Sequence, residues 1–433
     1  MRVLGVGETC DLGALYVALK AEGHEVRVSI SHPMAQGTLA GLVERTADWR
    51  AELEWVRDGV ILFEAVSEGL GALQDELRTQ GFTVIGGSAF GDRLENDRAY
   101  AQEVLAGVGF PSGHVWRFEG VASALDFIPE QPGRYVVKFN DAEHASGDTF
   151  VGVLGDGRDL TAYLRGRAAM GEADRSLILM AHIEGIEMGV GAYFNGERFM
   201  TPACLDWEHK RFFPGDLGEL TGEMGTVVTY ERSQRFFELT LKPIEDQFRA
   251  AGHLGWVNLN TIVNEAGVWP LEFSCWFGYP GYTILTPLQG EWGDLLIGMV
   301  ERRPSIETRP GFCVGVLMTT PPFPYSREDI DEPIGLPVMP GAAVDPDHIH
   351  YGEVGLDATG QLVTSGLYGW TLVATGLGAS IEAARRRANA QAGATTIANV
   401  RYRRDIGERL IQGDWDRLER LGLLDPLPNQ SPG

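Results

Sequence analysis

Cysteine is scarce in this 433-residue chain. Cys10, Cys204, Cys275 and Cys313 stand far apart, and without a CxxC or Cys/His spacing they indicate neither a zinc site nor a disulfide framework. Long apolar runs are missing as well. No stretch approaches the ~20 apolar residues that a membrane span needs, and the apolar run in "MRVLGVGETCDLG" is too short for a signal peptide, so a cytoplasmic location is expected. Basic charge is in short supply. Lys and Arg number 36 against 60 Asp and Glu, a net charge of −24, which predicts repulsion of nucleic acid and of anionic membranes. Any phosphate must then be held locally. Internal repeats and low-complexity segments are absent, and "GVGETCDLG" is not the GxGxxG fingerprint, so its glycines read as turn formers.

What is present is the composition of a soluble globular protein, 44% hydrophobic and 22% charged, and a length that suggests two to four domains. "MRVLGVG", a helically spaced "DLGALYVALKAEG" and a β-rich "HEVRVSIS" form a β-α-β opening. "DGVILFEAV", "GALQDELRTQG" and "FTVIGGS" repeat it, so residues 1 to about 90 predict a small parallel α/β domain. A helix is expected in "DRLENDRAYAQEVLAGVG", followed by strands in "FPSGHVWRF", "RYVVKFN", "SLILMAHI" and "MGVGAYFNGERFM". An amphipathic helix is expected around "RSQRFFELTLKPIEDQFRAAG". "GWVNLNTIVNEAGVWPLEFSCWF" predicts a hairpin turning at "NEAG". From about 310 the texture becomes β-rich, interrupted by a Pro-rich loop over 321–341 and closed by the helix "SIEAARRRANAQAGATTIANV".

Several residues stand out chemically. Lys138 ends an apolar strand, where its charge needs either a partner such as a nucleotide phosphate or an escape to solvent. Glu187 follows an apolar strand and reads either as a ribose-binding acid or as a solvated turn acid. Glu272 lies among apolar and aromatic strand residues, which asks for an ion pair or a metal such as magnesium. Asn258 and Asn260, at i and i+2, share a face of the neighbouring strand. In "EHKRFFPGDLGELTGEMG", Lys210 and Arg211 supply charge, and the glycines after them either let backbone N–H groups approach a polyanion or make a flexible lid.

Together these segments resemble the glycinamide ribonucleotide synthetase (phosphoribosylamine-glycine ligase) family of the ATP-grasp superfamily, clearly from about residue 80 to 412 and in layout before that. "EHKRFFPGDLGELTGEMG" is similar to the family's Asp-His-Lys-Arg run ending Asn-Thr-Gly-Gly-Met-Gly, and "LEFSCWFGYPG" to Glu-Phe-Asn-x-Arg-Phe-Gly-Asp-Pro-Glu. "GGSAFGDRLENDRAYAQEVL" resembles the entry into the ATP-grasp core, and "RYRRDIGERL" the C-terminal module.

The resemblance implies an α/β and α+β architecture: an N-terminal parallel pre-ATP-grasp domain (1–96), an ATP-grasp domain (97–309) with a lid subdomain about 113–180, a C-terminal β-rich module (310–420) and a disordered tail (421–433). It also implies ATP with Mg²⁺ or Mn²⁺, activation of an acid as its acyl phosphate, and attack by an amine, in a monomer or homodimer. Carried over by position, Lys138 would touch the phosphates, Met180, Ala181 and Ile183 the adenine, and Glu187 the ribose. Glu272, Ser274, Asn258 and Asn260 would hold metal, Lys210 and Arg211 would be catalytic, and Asp216, Gly222, Met224, Trp276 and Tyr279 would contact substrate. The departures are specific. Ser274 replaces the metal-binding Asn. Trp276, Tyr279 and Gly281 replace the Arg, Asp and Glu of the amino-acid pocket, and Leu220 and Glu223 replace an Asn and a Gly. Asp148 stands where the lid carries a lysine, and "GETCDLGA" has no basic residue where the family's Gly-Gly-Arg-Glu-His-Ala holds a ribose phosphate. The expectation is a ligase for a different acid and amine. The alternatives are a genuine phosphoribosylamine-glycine ligase and an inactive nucleotide-binding homologue.

Overall fold

The computed structural model describes residues 1–64, 69–111, 113–139 and 149–426. The opening alternation forms β1 (Arg2–Gly7), α1 (Gly13–Ala21), β2 (Glu25–Ile30), β3 (Glu44–Arg45), β4 (Val60–Phe63), α2 (Leu70–Thr79) and β5 (Val84–Ile85). These strands make a parallel sheet ordered β3-β2-β1-β4-β5. Side chains alternate across it: Val60 and Leu62 join the core under α1, while Ile61 and Phe63 pack on the opposite face with Leu77. The strand order reverses at β1 and β4, so their C-terminal ends open the crevice in which such sheets bind ligands.

The expected single helix after residue 90 is two, α3 (Ala89–Asn96) and α4 (Arg98–Gly107). Asp97 breaks it with non-helical backbone angles, and its carboxylate caps α4 by accepting the Tyr100 N–H at 3.0 Å. Next come β6 (Val115–Phe118), α5 (Val121–Glu130), β7 (Tyr135–Phe139), β8 (Thr149–Val151), α6 (Arg158–Arg167) and β9 (Leu177–Ala181). They form a four-stranded antiparallel sheet, β6-β9-β7-β8, with its own core of Ile128, Val137, Leu160, Leu164 and Leu179. Asp148 lies outside the described residues.

The rest of the chain builds β10 (Ile186–Asn195), β11 (Cys204–Glu208), β12 (Arg211–Phe213), β13 (Leu217–Leu220), β14 (Gly225–Thr229), α7 (Gln234–Leu239), α8 (Glu245–Ala250), β15 (Leu254–Asn264), β16 (Gly267–Ser274), α9 (Gly281–Leu285) and α10 (Trp292–Val300). It ends with β17 (Phe312–Thr319), β18 (Val338–Pro340), β19 (Ile349–Tyr351), β20 (Val354–Leu356), β21 (Leu362–Thr364), β22 (Trp370–Gly378), α11 (Ile381–Gly393), β23 (Thr395–Ile397) and α12 (Trp415–Arg420). One eight-stranded antiparallel sheet, β16-β15-β10-β11-β14-β17-β22-β19, runs through these elements.

Four expectations change. The break at 310 divides no sheet, because β17 pairs with β14 and carries the sheet into the C-terminal module. The helix expected over 232–252 is split into α7 and α8 by Thr240 and a 3₁₀ turn containing Pro243. The glycine-rich run is not a lid loop over its first half, since β12 and β13 make a hairpin whose turn holds Gly215 and Asp216 at positive φ. Residues 421–426 are not a free tail: Leu423 and Leu424 are buried, and the Asp425 carboxylate accepts the N–H groups of Gln234 and Arg235. No helix among the described residues is long and apolar enough to cross a membrane.

Candidate active site

The hairpin β15–β16 sets Asn258 opposite Ser274 and Asn260 opposite Glu272. Across β15, Gly189 of β10 lies opposite Asn260, and Asp206 of β11 lies opposite Gly189. Paired positions project on the same side of a sheet, so these polar groups share one face. Gly189 is required there, because a Cβ on it would sit 2.2 Å from Asp206 Oδ1. Above this face is a cavity of about 200 Å³, also lined by Glu95, Glu208, Lys210, Gly222, Glu223, Trp276, Tyr279 and Tyr282.

Lys210 is the sole basic residue among the described lining residues, and it is surrounded. Its Nζ lies 2.9 Å from Glu272, 3.2 Å from Glu208 and 3.3 Å from Glu187. Burial pulls its pKa down, but the charges of Glu208, Glu272 and Glu187 hold it well above the ordinary lysine value. In return the Lys210 charge depresses Glu272 to about 2, so that carboxylate is ionised at any physiological pH. Asp206 and Glu223 are buried, and burial reinforced by the Glu208 charge pushes both carboxyls up. Burial also raises Glu95 to about 7, although it accepts the Cys275 N–H at 3.0 Å and the Trp276 indole N–H at 3.1 Å.

On the side facing the four-stranded sheet stand two further cations. Lys138 on β7 is pushed down to about 8 by burial and by the Arg98 charge. Both cations help depress Glu272. Arg98 opens α4 and donates to Met180 Sδ on β9 at 3.1 Å, which ties the two sheets together at this cleft. Neither has a carboxylate within ion-pair distance among the described residues. Ala181 ends β9 with its N–H on His114 O at 3.0 Å, and Ile183 is half-buried just beyond. Lys138, Met180, Glu187, Lys210, Glu272, Asn258, Asn260, Ser274, Gly222, Trp276 and Tyr279 thus gather around one cleft.

Of the expected catalytic and substrate-contacting residues, three do not line the cavity. The Arg211 guanidinium donates to Gly218 O at 2.8 Å, closing its own hairpin. Asp216 sits in that hairpin's turn and accepts from Arg403 at 2.8 Å. Met224 is fully buried against Phe212 and Phe323. Conversely, Glu95, Arg98, Asp206 and Glu208 were not singled out in the sequence. Asp206 and Glu208 carried the same signal as Glu272, acids at i and i+2 in an apolar strand, "CLDWE". Nothing local marked Glu95 or Arg98.

The crevice of the parallel sheet is also filled. Glu64, directly after β4 and 1% exposed, accepts the Asp11 N–H at 2.8 Å and bonds the Leu12 N–H at the start of α1. Gly7 permits this approach, since its Cβ would lie 2.2 Å from Glu64 Oε2. Burial pushes Glu64 up to about 8 and Asp11 to about 6.

Residues 96–282 match the profile of the phosphoribosylglycinamide synthetase ATP-grasp (A) domain. The phosphoribosylamine–glycine ligases of Vibrio parahaemolyticus and Pseudomonas aeruginosa are 25% and 27% identical to the chain, each over 356 residues. These alignments span 79% and 78% of this chain and 81% and 80% of the relatives. The crystal structure of the Thermotoga maritima phosphoribosylamine–glycine ligase superposes with a TM-score of 0.70 at 21% identity, covering 94% of this chain and 100% of that one. The biotin carboxylase domain of Hydrogenobacter thermophilus 2-oxoglutarate carboxylase, solved with MgADP, superposes at 0.63 with 13% identity, covering 97% and 95%. The chain has the ATP-grasp fold, and its residues 96–282 are similar to the ATP-grasp domain of phosphoribosylglycinamide synthetase.

Proposed function

We propose that the chain is an ADP-forming ATP-grasp ligase, related to phosphoribosylamine–glycine ligase, that joins a carboxylate to an amine other than the pair glycine and phosphoribosylamine. The substrate's carboxylate oxygen attacks the γ-phosphorus of ATP and ADP leaves. The amine nitrogen then attacks the acyl phosphate carbon, and inorganic phosphate departs with the C–O bonding electrons. Phosphoryl transfer depends mainly on positioning and charge neutralisation. Lys138 and Arg98, both without carboxylate partners among the described residues, are suited to hold the phosphates. Met180, Ala181 and Ile183 would pack the adenine, and Glu187, 41% exposed, would accept from the ribose hydroxyls.

The donor chemistry suits a hard divalent cation. Glu272 is ionised, and the Asn258 and Asn260 amides use their NH₂ groups on Asp206 and Glu208, leaving carbonyl oxygens as acceptors. No group of three acidic, histidine or cysteine side chains among the described residues could hold a metal alone, which fits Mg²⁺ or Mn²⁺ taken up with nucleotide phosphates rather than in an all-protein cage. When bound, the ion would neutralise phosphate charge. Lys210 orders the Glu272, Glu208 and Glu187 carboxylates around it. Glu95, raised to about 7, is placed in the cavity to take the proton that the attacking ammonium must lose.

The observation that supports different substrates is the absence of a free cation among the described lining residues of the cavity. Glycine would present a carboxylate to a site where Lys210 is already bound to three acids. The test is ADP release by the purified protein with Mg-ATP and a matrix of acids and amines, beside complementation of a purine-requiring strain. Complementation, or turnover restricted to glycine with phosphoribosylamine, would refute the substrate reading. No turnover with any pair, from a protein that binds ATP, would refute the ligase itself.

A further inference from the structure

Two buried acids line the cavity with no basic partner among the described residues. Asp206 and Glu223 are 5% and 9% exposed, and no Lys, Arg or His lies within ion-pair distance of either among the described residues. Lys210 is occupied by Glu187, Glu208 and Glu272. Among the described residues Asp206 Oδ1 has no hydrogen-bond partner, although it is buried, and the Tyr279 hydroxyl at the same cavity also lacks one. A buried acceptor left unmade costs about 1–3 kcal/mol, a penalty that an incoming donor cation removes.

The walls indicate which cation. Trp276, Tyr279 and Tyr282 line the cavity, and aromatic rings attract ammonium and guanidinium groups that carry apolar bodies, whereas a hydrated metal ion gains nothing from them. The complementary observation concerns phosphate. Helix N-termini are natural anion sites, but at the start of α1, in the crevice beside β1 and β4, the Glu64 carboxyl already takes the N–H groups of Asp11 and Leu12.

We infer that the amine substrate is an unphosphorylated organic cation, an ammonium or guanidinium on an apolar body, seated in this cavity against Asp206 and Glu223. The inference rests on the ligase reading for the fate of the bound amine, but its binding half is testable without turnover. Isothermal titration of the full chain without ATP would use phenethylamine and agmatine, with 2-phenylethanol as the neutral counterpart, and ribose 5-phosphate and MgCl₂ as competing classes. The expected result is saturable amine binding at least tenfold tighter than the alcohol. Glu223→Gln, which keeps side-chain volume, should weaken the amines about tenfold and leave Mg-ATP affinity unchanged.

Three results overturn the inference: no saturable binding of either amine, tighter binding of ribose 5-phosphate than of both amines, or displacement of the amines by MgCl₂ alone, which would make the cavity an inorganic cation site. The wild-type comparison stands even if Glu223→Gln fails to fold. Amine binding without ADP release in any acid–amine mixture would sink the ligase reading and leave the cation site intact. ADP release that requires a phosphorylated amine would do the reverse.

Discussion

Replacing Glu64 with Gln tests the reading of the filled crevice through proton linkage. Glu64 is 1% exposed, and burial raises its carboxyl from an ordinary 4.5 to about 8. Between those values the folded protein holds a proton that the unfolded chain has released, so unfolding free energy must fall as pH rises. At 1.36 kcal/mol per unit, 3.5 units give an upper bound of about 5 kcal/mol lost between pH 4.5 and 8. Glu64→Gln keeps an acceptor for the Asp11 N–H but cannot ionise, so this slope disappears. The assay is urea unfolding of both proteins at a series of pH values from 5 to 9. The variant should gain stability relative to wild type progressively, reaching its full advantage above about pH 8. Glu95 and Asp206 contribute slopes of the same sign, but these are present in both proteins and cancel in the difference. A stability difference that does not change with pH would show that Glu64 is not the buried, proton-holding group described.

Other outcomes follow from the same geometry. Glu272→Ala should abolish ATP-dependent turnover while the protein stays folded by circular dichroism; wild-type turnover would remove Glu272 from the metal assignment. Lys138→Ala should weaken ATP at least tenfold by calorimetry. Because Lys138 loses its charge near pH 8 in the free protein, wild-type affinity should fall between pH 7 and 9. Lys138→Arg should flatten that dependence, and a wild-type profile already flat over this range would refute the phosphate contact. Gly189→Ala forces a Cβ to 2.2 Å from Asp206 Oδ1 and should destabilise by ~1–3 kcal/mol, read as a lower urea midpoint; no change would mean that the strands yield there. Glu353→Ala strands the N–H groups of Leu367, Tyr368, Gly369 and Trp370. It should lower the melting temperature by the equivalent of ~3 kcal/mol or more, and an unchanged melting temperature would contradict that hydrogen-bond count.

Local patterning was sufficient where an element's own side chains decide its form. The β-α-β opening reads directly from alternating apolar runs, and the β15–β16 hairpin from "NEAG" between two strand patterns, which puts Asn258 and Asn260 on the strand opposite Glu272; the register that pairs Asn260 with Glu272 is set by the structure. Lys138 and Glu272 were legible for one reason: a charge in an apolar strand demands a partner. Breaks were harder, because Asp97 and Thr240 interrupt helices whose periodicity continues past them.

Partners distant in sequence were decided only by tertiary structure. The composition could not say that Lys210 would be enclosed by Glu187, Glu208 and Glu272, drawn from three other strand positions. Nor could it say that Glu64 would close the end of α1, or that Arg98 would join Lys138 at the cleft. Sequence spacing fixes which face of a strand a residue occupies, but the order in which strands pair sets which charges meet. Here that order turned an expected cationic loop into an ammonium already balanced by acids, beside an acidic, aromatic cavity.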